Sequence, residues 1–183
     1  MVTMFASLAV LAILAFIWFT YNRLVRFRQL LAEAWSDIDV QLKRRHDLIP
    51  ALVESVKGYS RHELGTLESI TGQRSAGLSS ENLPLRQAAE KTLAGDMRKI
   101  MALVEAYPDL KADKNFHKLH ESLVEIEDDL QSARRYYNGC VRNLNIGIQS
   151  FPGNIIAGWF GFRTETFFEL DYATERRNPD VKF

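Results

Sequence analysis

Apolar side chains fill the opening of the chain without a break and then thin out into stripes. From Met1 to Phe19 the only polar side chains are the hydroxyls of Thr3 and Ser7, and no charged side chain precedes Arg23. A helix rises about 1.5 Å per residue, so roughly 20 such residues cross a hydrocarbon layer of about 30 Å. The pattern predicts a transmembrane anchor over residues 1–21. A cleaved secretory signal is the competing reading, but it needs positive charge ahead of the apolar run and small residues behind it. Here Arg23, Arg26 and Arg28 follow the run, and its exit is Phe16-Ile17-Trp18-Phe19-Thr20-Tyr21. Trp18 and Tyr21 suit the membrane interface, and the arginines predict a cytoplasmic side for everything after them, with the N-terminus outside.

Behind the anchor, Leu24, Leu31, Trp35, Ile38, Leu42, Ile49, Leu52, Val56 and Tyr59 recur in steps of three and four, the mark of a helix buried along one stripe. No breaker separates this stripe from the anchor, so the membrane helix is expected to continue into it as a stalk. Pro50 predicts a kink or a join, because proline removes one helical hydrogen bond and crowds the carbonyl four residues back. The apolar face then continues to about Gln73. Residues 77–82 read as a loop. A second helix runs from Leu83, with Pro84 in its first turn, to Tyr107, where Pro108 ends it. Residues 109–115 form a polar connection.

A third helix carries Phe116, Leu119, Leu123, Ile126, Leu130, Ala133, Tyr137, Cys140 and Leu144 on one seam. Phe151-Pro152-Gly153-Asn154 stops it, and Asn154 is placed to cap a short helix from Ile155 to Phe160. The fold class expected is all-α: an anchor over residues 1–21, a long antiparallel up-and-down bundle over 22–168, and a polar tail over 169–183. Three helical passes place the C-terminal aromatic patch, with Trp159, Phe160 and Phe162, at the end of the bundle far from the membrane. There it is expected to cap the core or meet a partner, ahead of contacting lipid.

Composition narrows the function classes. With 23 basic and 23 acidic residues the formal charge is zero, and no segment is basic enough for a nucleic-acid groove. Nucleic acid is excluded as an expected partner. The single Cys140 excludes an internal disulfide and a cysteine-built zinc site, and fits a reducing compartment.

Few residues offer chemistry. His117 and His120 lie three apart, beside Glu121 and Glu125, but lack the two-histidine spacing with an intervening glutamate that marks zinc peptidases, and they read as a solvated face. Glu125, Glu127, Asp128 and Asp129 read as surface ion-pairing groups, the alternative being pairing with Glu54 or His62 across the bundle for acid–base chemistry, which needs a cleft. Cys140 and Tyr137 fall on the packed seam, so an inert core thiol is expected. Arg45 is different: it takes the seam position between Leu42 and Ile49, where its stem packs while its guanidinium needs an acid. Asp39, Asp47 or a carboxylate of the third helix are the expected sources. Arg44, Arg45, His46 and Asp47 therefore serve either to fix helix register or to dock a partner near the membrane. No phosphate loop, serine-type triad, dinucleotide fingerprint or paired CxxC is present, so no catalytic residue, metal or cofactor is expected.

Glu33-Ala34-Trp35-Ser36-Asp37-Ile38-Asp39-Val40-Gln41-Leu42-Lys43-Arg44-Arg45-His46-Asp47-Leu48-Ile49-Pro50 is the most specific part of a pattern that covers nearly the whole chain and resembles the LemA family of bacterial membrane proteins. Arg134-Arg135-Tyr136-Tyr137-Asn138, Val141-Arg142-x-Leu144-Asn145 and Phe151-Pro152-Gly153-Asn154-Ile155-Ile156-Ala157 extend it, with Gly153 and Ile155 as mild departures. The resemblance implies a single-pass protein of the bacterial inner membrane with a cytoplasmic helical bundle and no catalytic residues. A magnetosome-associated branch points to membrane organisation or assembly. The expected function is a non-enzymatic scaffold or adaptor that binds another membrane or cytoplasmic protein, or a further copy of itself, at the cytoplasmic face. The alternative is an accessory or regulatory subunit of an envelope enzyme such as a membrane peptidase or sensor kinase, with a hydrolase third.

Overall fold

A computed structural model describes residues 1–57, 64–79, 83–104 and 107–168. Among these the structure is helical, without strands: α1 (Val2–Lys57), α2 (Leu64–Ser79), α3 (Leu83–Val104), α4 (Pro108–Ala112), α5 (Lys114–Gln149) and α6 (Gly153–Phe160). The all-α expectation holds. The polar tail over 169–183, and Tyr59 and His62, lie outside the described residues.

The chain divides into two compact units, and α1 and α5 each contribute a segment to both. The first unit contains residues 1–39 and 131–168. Its α1 segment begins with the apolar stretch, where Phe5, Leu8, Leu11, Leu14, Trp18 and Phe19 are exposed. This is one helix long and apolar enough to cross a membrane. The helix runs on without interruption into the buried stripe of Leu24, Leu31, Ala34 and Ile38. α5 packs antiparallel beside it, since Gly147 sits against Leu24 and Phe27 while Tyr137, earlier in α5, stacks edge-on with Trp35 at 5.5 Å.

In the second unit, residues 40–130, the core is Ile49, Leu52, Val56, Leu67, Ile70, Leu93, Met97, Ile100, Phe116 and Leu123 with their neighbours. Burying each such side chain contributes about 1.5–3 kcal/mol against chain entropy. Here the expected three-helix count is corrected. His46, 11 residues before the end of α1, meets Arg74, 10 residues after the start of α2, which requires the two helices to run antiparallel. The stripe from Leu42 to Ile70 is thus shared by two helices rather than one, because a period of three and four residues cannot report a reversal of direction.

Of the kink or join expected at Pro50, the join is corrected, since α1 continues through Pro50 to Lys57. The proline's missing N–H leaves the carbonyl of His46 without a helical donor. Arg74 supplies one, donating from Nε to that oxygen at 2.9 Å. Other boundaries move slightly: α2 extends to Ser79, α3 ends at Val104, and the polar connection contains α4, begun by Pro108. Asp113 then accepts from the N–H groups of Asn115 and Phe116 at 2.8 and 2.9 Å, capping the start of α5. Asn154 is not the cap of α6; that position belongs to Pro152, and Asn154 lies inside the first turn. α6 ends at Gly161, whose φ of 70° is the left-handed conformation glycine accepts freely.

Candidate functional site

Arg45 is reached from α1, on the same stripe as Leu42 and Ile49, and is fully buried. Its guanidinium pairs with Glu90 of α3 and, through Nη1, with Glu127 of α5 at 2.9 Å. The next residue, His46, places Nε2 2.7 Å from the second oxygen of Glu90. Of the three sources of acid expected for Arg45, the third long helix supplies one, Glu127. Glu90 was missed. Its signal was spacing: it stands three residues before Leu93 and seven before Met97, on the face that turns inward.

Burial pushes the Glu90 carboxyl up, but the His46 hydrogen bond and the Arg45 charge outweigh it and hold the group below the ordinary glutamate range. Taking such charges out of water costs several kcal/mol per ion unless partners satisfy them, so the pairing is a condition of burial. Arg45, His46 and Glu90 are 0%, 1% and 2% exposed, which leaves them no face for a substrate. What the arrangement does is tie α1 to α3 and α5 in one register.

Arg44 and Asp47 point elsewhere. Arg44 donates to Gln41 at 3.0 Å and reaches Asp129 at 3.4 Å, with nearly half its side chain in solvent. Val40, Lys43, Arg44 and Asp47 are all exposed and recur at helical spacing, forming one outward stripe of α1 in this unit. The histidine pair is split: His117 faces Glu121 at 3.5 Å on the surface, while His120 turns Nδ1 towards the sulfur of Met101 at 3.0 Å. Among the described residues, no group of three or more His, Cys, Asp or Glu is placed to hold a metal. Cys140 is buried on the α5 seam, and burial pushes its thiol up, as an inert core thiol requires.

The aromatic patch belongs to the first unit, and its expected position is corrected. Phe160 lies 4.7 Å and Phe162 5.9 Å, between ring centroids, from Tyr21 at the exit of the apolar stretch, and the Arg28 guanidinium covers Phe162 at 5.3 Å. Far from standing remote from that stretch, the patch adjoins it. The cause is the uncounted reversal between α1 and α2, which brings the end of α5 back beside the beginning of the stripe. After the patch, residues 162–168 follow α5 in extended form. Asn138 donates to the Phe168 carbonyl at 2.9 Å and accepts from its N–H at 2.8 Å, and Asn145 repeats the pair with Glu165 at 2.9 Å each way.

These features define a class: a helical protein whose first helix is apolar and long enough for a membrane and whose polar cluster is buried between helices. Residues 34–183 match the sequence model of the LemA family, and the chain belongs to that family. Among its relatives, the magnetosome protein MamQ 2 of Paramagnetospirillum magneticum is 25% identical over 188 residues, covering 88% of this chain and 69% of the relative. Protein LemA of Metamycoplasma hominis is 27% identical over 164 residues, covering 87% and 72%. The magnetosome protein MamQ of Magnetospirillum gryphiswaldense is 23% identical, covering 91% and 72%. The apolar helix and this membership together support membrane anchoring.

Proposed function

We propose that this protein is a non-enzymatic, membrane-anchored adaptor, held in the bacterial inner membrane by residues 1–21 with its helical domain in the cytoplasm, where it binds another protein. The carrying observation is the division of the Arg44 to Asp47 segment. Arg45 and His46 are spent on internal pairing, while Val40, Lys43, Arg44 and Asp47 face outward as one mixed stripe. Val40, 54% accessible, stands there among both signs of charge, and Arg44, a residue type enriched at protein contacts, is the group of the stripe best suited to one. The three arginines after the apolar stretch support the cytoplasmic side.

The test is photo-crosslinking in intact cells from probes placed singly at Val40, Lys43 and Arg44, with Glu121 as an exposed position on another helix. A discrete protein adduct from the α1 stripe, absent from Glu121 and lost on Arg44→Glu, is the expected result. Equal adducts from every exposed position, or none, sink the adaptor reading.

A further inference from the structure

α6 is apolar on both sides. Gly153, Ile156 and Ala157 are buried within their unit, yet Ile155, Trp159 and Phe160 are 42%, 69% and 53% exposed. Phe151, just ahead of the helix, is also exposed, and Phe151, Ile155 and Trp159 follow one another at intervals of four residues. Asn154, whose side chain accepts from the Ile155 N–H, is the one polar side chain of α6, and an uncharged helix otherwise apolar on both faces is at home only where both are covered. Protein covers one of them.

Tyr21 shows what adjoins the other. The Phe160 ring rests on a residue two positions after the apolar stretch closes at Phe19, which is about 3 Å along a helix axis. The uncovered face of α6 therefore lies at the level where the anchor leaves hydrocarbon, in the company of exposed Trp18. Charge points the same way. Residues 20–32 and 140–164 of this unit carry Arg23, Arg26, Arg28, Arg142 and Arg163 and no acidic residue. Apolar and aromatic side chains ringed by cations are what the boundary between acyl chains and anionic headgroups accepts.

We propose that the Phe151, Ile155 and Trp159 face of α6 is a second membrane contact, lying in the headgroup boundary of the bilayer that holds the anchor and favouring anionic lipid. This rests on residues 1–21 being that anchor. The contact holds the first unit against the bilayer surface and fixes its orientation there, which a single spanning helix, free to rotate about its axis, cannot do.

The experiment uses the full chain with Cys140→Ser, reconstituted in vesicles of phosphatidylcholine and phosphatidylglycerol. Nitroxide labels are attached singly at Ile155→Cys, Trp159→Cys, Leu11→Cys as the anchor control, and Ser132→Cys as an exposed position on α5. Oxygen, which partitions into lipid, is expected to relax the labels at 11, 155 and 159 more than an aqueous nickel chelate does, with the reverse at 132. In pure phosphatidylcholine the preference for oxygen should weaken at 155 and 159 and persist at 11. A chelate preference at 155 and 159 with oxygen preference at 11 overturns the contact while leaving the anchor intact, whereas chelate preference at 11 overturns the anchor itself. Spin–spin broadening at 155 and 159 without oxygen preference assigns the face to a second copy of the chain and likewise overturns the proposal. An unchanged preference in pure phosphatidylcholine overturns its anionic element.

Discussion

Arg74 of α2 donates from Nε to the carbonyl oxygen of His46 at 2.9 Å, the acceptor that Pro50 deprives of its helical partner. A side chain from one helix thereby completes the backbone ladder of another. Arg74→Met leaves that buried carbonyl unsatisfied and should cost about 1–3 kcal/mol. Restoring an N–H with Pro50→Ala should make Arg74 largely dispensable, so chemical denaturation of the two single variants and the double variant in detergent should show strong coupling. Additive losses would mean that the guanidinium acts through some other contact.

Glu90 is the hub of the buried cluster, since it meets both Arg45 and His46. Glu90→Leu leaves Arg45 with the half-exposed Glu127 as its carboxylate among the described residues and should destabilise the fold by about 3–5 kcal/mol. Adding Arg45→Met should recover much of this, because the desolvated charge goes with its partner. A double variant no more stable than Glu90→Leu in thermal melts contradicts that account.

Acid should act through the same carboxylate. The folded pKa of Glu90 is depressed by His46 and Arg45, so its contribution is complete above the unfolded value of about 4.3 and is lost as pH falls below it towards the folded value. Asp96 adds a parallel loss, its carboxyl held down by Lys99 at 2.8 Å and by Ser69. Plots of stability against pH should fall below about pH 4, and more shallowly in Glu90→Gln than in the parent. Identical acid limbs would remove Glu90 from the explanation.

Asn138 and Asn145 each hold both backbone groups of one residue in the 162–168 segment, the arrangement a neighbouring strand would otherwise offer. Asn138→Ala should speed amide exchange at Phe168 at a cost of about 1–3 kcal/mol, and Asn145→Ala at Glu165 at a smaller cost of about 0.5–1.5 kcal/mol, since its two hydrogen bonds are open to water. Loss of Asn138 should also loosen Phe168 from Trp35 and Arg134, whose ring and guanidinium it meets at 6.2 and 4.9 Å. Hydrogen exchange that stays at the parent rate in both variants rules out the clamp.

Two glycines at α6 should respond with opposite signs. A Cβ on Gly153 falls 2.5 Å from the Gly147 carbonyl oxygen, backbone that has little room to shift, whereas one on Gly158 meets nothing within 4 Å. Gly153→Ala should therefore lower the melting temperature, while Gly158→Ala should stabilise by about 0.5–1 kcal/mol through helix propensity. The pair of melts checks the close approach of α6 to α5 without touching the aromatic side chains.

Much of this was legible in the order of side chains. The seam of α5 from Phe116 to Leu144 is buried almost throughout, with Ala133 only half so, because a helix packed on one side repeats its apolar demand every three or four residues. Arg45 on the α1 stripe announced a buried cation in need of acid, and Glu127 answers from α5 as anticipated. Glu90 was not foreseen: its spacing to Leu93 and Met97 marked the inward face of α3, but the sequence alone did not pair it with Arg45 and His46.

By itself the sequence determined the all-α class, the uncharged helix, the inward face of each long helix and the presence of a buried charge. These follow from local periodicity and from the cost of hiding charge, which act within a few residues of each position. Only the tertiary structure decided that α1 and α2 are separate antiparallel helices, that Arg74 mends the gap at Pro50, and that the Phe160 ring returns to Tyr21. Such facts depend on which helix runs in which direction, and an apolar stripe reads the same along a helix that continues as along one that has turned back.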